Sequence, residues 1–403
     1  MKKKITFLLL AIACTISSKA QPIQTAEDQI KVYVHEPIEL LFTIYHLTPA
    51  SNRFFNPSKN KRDWIDIMSK PLTAPFRSYH SHPAVLAMQK LHSQYGEWFP
   101  LLVSIGIQNE QMPLVANLHK PEEDTPHAKA VRDFIQLANQ FYQDSEFGKK
   151  YKENKAIYEA IEEEVKHHLP QKGFIEAMET FYQESFLSYN LCPSPLLPAG
   201  NGMGFGPYRE TAAGKAVFNV FSGLDKPDIH PTNLLKDKAT YGFNNDGWIR
   251  EICTHEFGHS FVNGPLSKHR KQFAPFKKQL KKPIRKKMRR QGYGNWEATL
   301  AEHLVRVGEI RIADRLGLKE VSNDLFYDYY IGRKFMYLPH FLEVFRQYEE
   351  QSTYASFIDF LPQVVSSLSQ IDVKEAKQAW KKAKGIDQSQ VIPPSINATH
   401  PIN

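Results

Sequence analysis

The string His255-Glu256-Phe257-Gly258-His259 limits what this 403-residue chain can fold into more than any other feature of it. Two histidines four residues apart share a face only on an α-helix, where they lie about 40° apart and can grip one metal ion. On such a helix Trp248, Ile252, His255, His259 and Val262 form one stripe, so the imidazoles emerge from an apolar side that has to be buried. Ile252, Cys253, Thr254, Ser260 and Phe261 around the motif are uncharged as well. Glu256 falls on the flank of that face, where it can take a proton from water held by the ion. A helix with its functional side turned inward needs a large core. With 42% hydrophobic and 12% aromatic residues the chain can build one, which excludes general disorder. Three cysteines exclude a disulfide scaffold, and no apolar run reaches the roughly 20 residues needed to span a bilayer.

A zinc site able to act on a substrate needs a third protein ligand and an open position. Val262 and Pro265 stand where the metzincin pattern requires Gly and His, and this excludes that class. A glutamate on a later helix is the alternative, and Trp296 to Arg306 carries the candidates. Glu302 projects with Ala298, Ala301, Val305 and Ile312, and a carboxylate on an apolar face is costly to bury unless it meets a cation. Glu297 lies far around the helix, and His303 projects with Arg306 toward the more polar side. Glu302 is therefore the expected third ligand, ahead of Glu297 and His303. Its competing role is an i,i+4 ion pair with Arg306, which agrees with ligation if the arginine steadies the carboxylate from behind.

The first 20 residues read as an address. Lys2, Lys3 and Lys4 precede a short apolar run from Ile5 to Ile16, and Ser18-Lys19-Ala20 offers small residues for cleavage before Gln21. The expected product is secreted or periplasmic; a lipid-bearing Cys14 is the rival, with no Gly or Ser before it. The formal net charge of +8 is local: Lys268 to Arg290 holds 12 of the 51 Lys and Arg residues, and no Asp or Glu occurs from Ser260 through Trp296. Without that segment and the four lysines of the address, acids outnumber bases. The segment could meet an anionic envelope surface, an acidic substrate or nucleic acid, or simply be a solvated helical or disordered face. Two Phe and two Pro among its charges are too few for base stacking, so no specific nucleic acid is expected. Cys192 and Cys253 could form one bridge or remain two buried thiols.

Residues 30–48 read as a strand followed by a helix, and helices are expected from Pro83 to Trp98, Ala128 to Phe147 and Gly148 to His168. Cys192 to Pro207 is rich in Pro and Gly and reads as loop. Ala216 to Phe221 is a β-rich run, followed by a loop from Pro227 to Asn245. Later helices are expected over Trp248–Asn263, Trp296–Leu316, Leu338–Gln351 and Tyr354–Leu368, with a Pro-rich tail from Ile392.

His255-Glu256-Phe257-Gly258-His259 followed by Glu302-His303-Leu304-Val305-Arg306 resembles the gluzincin-type metallopeptidases. More narrowly, the chain is similar to a family of secreted proteins common in Bacteroidota and known as a domain of unknown function. That similarity extends to Tyr79-His80-Ser81-His82-Pro83 and to Phe134–Tyr158, with Asn139-Gln140-Phe141-Tyr142 and Asp144-Ser145-Glu146-Phe147. The pattern along the chain gives an expected α+β, mostly helical fold, and the resemblance implies a zincin fold within it. A zincin-like catalytic domain, a small sheet plus the active-site helix, would occupy 191–350 with the basic insertion 268–290. A helical region over 21–190 would precede it, and C-terminal helices and a tail over 351–403 would follow. It also implies Zn2+ on His255, His259 and Glu302, Glu256 as general base, and a peptide or protein substrate. The G-x-M-x-N signature of large aminopeptidases is absent, although Gly202-Met203-Gly204 lies upstream, and no Asn-Glu pair opens the Glu302 helix. Endo- and exopeptidase action both stay open. Candidate donors to an oxyanion are Tyr293, Arg306, His340, Tyr327, Tyr329 and Tyr330. Two other classes remain: a zincin-fold binding protein without turnover, against which the intact Glu256 speaks, and an envelope- or nucleic-acid-binding protein acting through 268–290.

Overall fold

The computed structural model describes residues 29–49, 51, 59–95, 99–115, 126–197, 203–230, 232–235, 239–350 and 354–393. The expected leader with Cys14, the Gly202 position and the chain beyond 393 lie outside the described residues. The fold is α+β and mostly helical, around a mixed five-stranded sheet. Its strands are β1 (Ile30–Val32), β2 (Ser188–Pro193), β3 (Gly204–Phe205), β4 (Tyr208–Thr211) and β5 (Gly214–Phe221). β1 runs parallel to β2, and β2 parallel to β5, with Tyr189 opposite both Ile30 and Val217. β3 and β4 then pair antiparallel with the other side of β5.

The β-rich run 216–221 becomes the strand β5, paired on both sides, with β3 and β4 holding the outer position beside it. The segment from Cys192 to Pro207, expected as loop, contains the end of β2 and all of β3. Its prolines are tolerated because Pro193 ends β2, while glycine is required where β3 crosses a helix. A Cβ on Gly206 would stand 2.2 Å from the Glu256 carbonyl oxygen. The chain can pass over the HExxH helix there only without a side chain.

Helices α1 (Glu36–His46), α2 (Lys59–Thr73), α3 (Pro83–Tyr95), α4 (Phe99–Ile107), α5 (Pro126–Asp144), α6 (Phe147–Glu153), α7 (Lys155–Lys166) and α8 (Phe174–Tyr182) separate β1 from β2. The stretch expected as one helix from Gly148 to His168 is two, broken at Asn154, whose backbone N–H returns to Lys150 and Tyr151. The residues carrying the N-terminal part of the resemblance form a clasp. The Tyr79 hydroxyl donates to the Asp144 carbonyl (2.7 Å), His82 meets the Asp144 carboxylate (3.2 Å), and Tyr142 donates to Glu36 (3.0 Å).

The C-terminal half begins with α9 (Asp246–Lys268), capped by the Asn245 side chain, which accepts from the Trp248 N–H. It runs one turn beyond the expected end at Asn263. Pro265 lies inside it, so its missing N–H and its ring do not stop the last turn. The short helices α10 (Arg270–Phe273), α11 (Lys277–Lys281) and α12 (Arg285–Arg290) follow. Then come α13 (Trp296–Arg315), α14 (Lys319–Tyr327), α15 (Leu338–Glu350), α16 (Phe357–Ser367) and α17 (Val373–Ala383).

Strand alternation fixes what covers the sheet. Tyr189 meets Phe257 of α9 at 5.3 Å, and Asn219 donates to the Ile252 carbonyl, so α9 lies on that face. Asn190 and Cys192 point the other way, toward Tyr33 and the α7 side of the sheet. With both faces covered, β2 and β5 are buried almost end to end, which is why 216–221 of β5 is nearly all apolar, while the buried Asn190 and Asn219 are satisfied by hydrogen bonds to backbone carbonyls. One cluster of buried apolar residues extends from Ile30 to Val391. Cys192 and Cys253 are separate, buried thiols on β2 and α9, not a bridge. No helix among the described residues is long and apolar enough to cross a membrane.

Candidate metal centre

Two helices, α9 and α13, build the site by crossing closely. Gly258 faces α13, and a Cβ there would stand 3.3 Å from Val305 Cγ1, closer than side chains normally pack. Tyr182 fills the space beside the crossing, stacked on Phe261 at 4.4 Å. Asn295 caps α13 by accepting from the Ala298 N–H, and the Trp296 indole donates to the Phe273 carbonyl. These contacts hold both helices in rotation as well as position.

His255, His259 and Glu302 converge, with ligand atoms within 4.8 Å of one another, and could hold a metal ion. The two Nε2 atoms are 3.3 Å apart, His259 Nε2 is 3.2 Å from Glu302 Oε1, and His255 Nε2 is 3.8 Å from Glu302 Oε2. Donors about 2.0–2.2 Å from a shared tetrahedral ion stand ~3.3–3.6 Å from each other, so the spacing fits. Proton placement makes the same point. His255 Nδ1 lies 2.8 Å from Glu309 Oε1 and His259 Nδ1 lies 3.2 Å from Asn263 Oδ1. With each Nδ1 donating, both Nε2 atoms present lone pairs to one another. The third donor, Glu302 Oε2, is buried without a hydrogen-bond partner. Facing lone pairs and a buried carboxylate oxygen without a hydrogen bond are unfavourable together unless positive charge lies between them, either a metal ion or, in its absence, a proton on His259 Nε2 shared with Glu302.

The electrostatics express the same need for positive charge. Burial opposes the charged form of His259, yet Glu302, hydrogen-bonded to it, together with Glu256 and Asn263 lifts the ring to about 9. Burial would raise Glu302, but His255, His259 and Arg306 together hold it well below the usual carboxylate range. His255 is pushed well below its ordinary value, first by burial and then by the Arg306 charge. Burial carries Glu256 up to about 7, with Glu302 and Glu309 adding to the rise and His259 and Arg306 opposing it. Its Oε1 lies 3.9 Å from His255 Nε2.

The other candidates on α13 go elsewhere. Glu297 pairs with Arg270 at 2.7 Å. His303 donates from Nδ1 to the Thr299 carbonyl (2.7 Å) and is enclosed by Phe335, Tyr337 and Phe341. The side of α13 expected to be polar at His303 is an aromatic pocket. Arg306 does reach Glu302 Oε2, at 3.7 Å. Among the oxyanion candidates, Tyr293 lies within hydrogen-bonding reach of Arg306 and Glu302, and burial, followed by the Glu302 charge, pushes it up to about 12. His340 contacts Ser367 instead, Tyr330 stacks on Phe326, and Tyr329 donates to Glu309.

Glu309 was missed in the sequence. It is buried, receives the His255 Nδ1 proton, and also accepts from Arg306 (2.8 Å) and Tyr329. Its signal is spacing: Glu302, Arg306 and Glu309 stand at i, i+4 and i+7, one charged line down a single face of the helix.

Fold and site together define a mostly helical α+β protein with a buried two-histidine, one-glutamate cluster able to take a metal ion. Residues 30–367 match the family described as Domain of unknown function (DUF4932), and the chain belongs to that family. No curated protein and no solved structure matches the chain.

Proposed function

We propose that the protein is a secreted zinc-dependent metallopeptidase of the gluzincin type. The observation that carries this reading is the convergence of His255 Nε2, His259 Nε2 and a buried Glu302 oxygen that has no hydrogen bond, beside the Glu256 carboxylate. Zinc held by His255, His259 and Glu302 would supply a Lewis acid that polarises a carbonyl and lowers the pKa of water toward about 7. Glu256, on the flank of the same helix turn, takes the proton from water and returns it to the leaving amine. Glu309 keeps His255 in the tautomer that presents Nε2, and Asn263 does so for His259. Arg306 balances the two buried carboxylates, and Tyr293, within hydrogen-bonding reach of Glu302, is the candidate donor to a developing oxyanion. The substrate class on this reading is a peptide or protein.

A zincin-fold binding protein without turnover would need the same three ligands but not Glu256, which is present and buried at the site. Metal analysis and cleavage of a mixed peptide library, for the chain beside Glu256→Ala and Glu302→Ala, separate these readings. Stoichiometric zinc in the chain and in Glu256→Ala, weak zinc in Glu302→Ala, and chelator-sensitive cleavage by the unaltered chain alone are expected. Zinc without cleavage would favour the binding protein, and a chain that takes up no zinc would overturn both.

A further inference from the structure

The residues from Lys268 to Arg290 have no part in the metal chemistry, and the structure gives them a definite form. Phe273, Leu280, Ile284 and Met288 are buried and tie α10, α11 and α12 to the core. The Tyr337 hydroxyl donates to the Leu280 carbonyl at 2.7 Å, and the Lys334 ammonium to the Pro283 carbonyl at 3.1 Å. This segment is an anchored wall, not a disordered or freely solvated insertion. Its outer side is cationic throughout: Lys268, Arg270, Lys271, Lys277, Lys278, Lys282, Arg285, Lys286, Lys287, Arg289 and Arg290 are all exposed. Among the described residues, the ion pair formed by these side chains joins Arg270 to Glu297.

The wall continues onto a second element. Lys334 also lies 4.8 Å over the Trp380 ring on α17, and Lys384 lies 5.7 Å from the same ring. α17 adds exposed Lys374, Lys377, Lys381 and Lys382. Like charge is crowded enough to be felt. After burial, Lys277, Arg285 and Arg289 lower Lys281, and Lys377 and Lys384 lower Lys334. Beside α17, Ile386 and Ile392 are exposed large aliphatics, bordering a groove that Lys382 also lines.

We infer that this wall is a docking surface for an anionic lipid bilayer, bound through its phosphate headgroups. Three features favour a bilayer over nucleic acid. Lysine outnumbers arginine eight to four in 268–290, which suits point contacts with headgroups better than forked contacts with bases. Of the two Phe rings in the segment, Phe273 is buried and Phe276 half-buried, which leaves no row of open rings for bases to stack on. Exposed aliphatics next to a lysine-rich helix are the composition of an interfacial surface. The inference does not depend on zinc or on peptidase activity.

The test is sedimentation of the full chain with vesicles of phosphatidylcholine alone and with about 30 mol% phosphatidylglycerol, at low and high salt. The variant replaces Lys277, Lys278, Lys282, Lys286 and Lys287 by Gln, and its melting temperature is checked against the unaltered chain. A control replaces Lys149, Lys152 and Lys155, away from the wall. Each lysine near an anionic surface contributes about fivefold to binding, so losing all five should weaken it by about a thousandfold or more, and losing contact at only three of them by about a hundredfold. Binding is expected only with phosphatidylglycerol, lost at high salt and in the variant, and kept in the control. Inorganic phosphate at millimolar concentration should not displace the protein from vesicles; if it does, the site recognises a free phosphate and the bilayer assignment fails. Equal binding by variant and unaltered chain, or tighter binding to a mixed-sequence DNA duplex than to the vesicles, would also overturn it.

Discussion

Glu309→Gln is the sharpest test of how the site is held together. The Glu309 carboxylate accepts from His255 Nδ1, Arg306 and Tyr329, and it is fully enclosed. The glutamine oxygen can still accept from one donor, but its NH2 then faces another donor, and the buried Arg306 loses a counter-charge. If His255 loses its fixed tautomer, its Nε2 lone pair is no longer held toward the ion. Partners of this kind typically account for about 10–100-fold in metal affinity, or roughly 1.4–2.7 kcal/mol. Removing one side of a buried charged pair costs more, on the order of 3 kcal/mol of stability. The two effects separate with Tyr329→Phe, which removes a donor to Glu309 and leaves the His255 contact intact. Competitive chelator titration should show zinc affinity falling at least tenfold in Glu309→Gln and changing less than about threefold in Tyr329→Phe. Thermal melts of the metal-free proteins should show both destabilised. Unchanged zinc affinity in Glu309→Gln, or an equal loss in Tyr329→Phe, would refute the idea that Glu309 acts through His255.

Two further outcomes follow from packing and burial. Glu39 is fully buried on α1, accepts from Ser194 and leaves Oε2 unpartnered, and burial carries its carboxyl from 4.5 up to about 8. A raised carboxyl pKa means the folded state binds the extra proton, so its contribution is present below about 4.5 and lost as pH rises toward 8. Denaturant unfolding across pH 5–8 should therefore show stability falling by on the order of 4 kcal/mol relative to Glu39→Gln, and parallel profiles would contradict this. Gly308→Ala would place a Cβ 2.2 Å from the Tyr182 hydroxyl, beside the α9–α13 crossing. Overpacking of this kind costs about 1–3 kcal/mol, read as a lowered Tm, and Gly258→Ala, with 3.3 Å of room, should cost less.

The two histidines, Glu256 and Glu302 were legible in the sequence because helix geometry is local. A period of 3.6 residues sets which side chains share a face, and an acid on an apolar face signals a buried charge needing a partner. The same logic extends to Glu309, which continues the Glu302–Arg306 line by one more turn. His303 shows the limit of that reasoning. Helical projection placed it toward a polar side, but Phe335, Tyr337 and Phe341 come from chain some 30 residues later and make that side aromatic.

The sheet was harder for the same reason. Whether an apolar run becomes an outer or an inner strand depends on partners: β5 is inner because β2 and the Gly204–Thr211 strands flank it. By itself, then, the sequence determined most of the helices, which faces of two of them carry His255, His259 and Glu302, and the local concentration of positive charge, each of which depends on residues within a few turns of one another. Tertiary structure alone decided that Nε2 lone pairs meet at 3.3 Å, that Glu309 backs His255, and that the basic segment is anchored by four buried side chains. Those depend on how α9 and α13 cross and on what the core accepts, and contacts between distant parts of a chain are set by packing, not by periodicity.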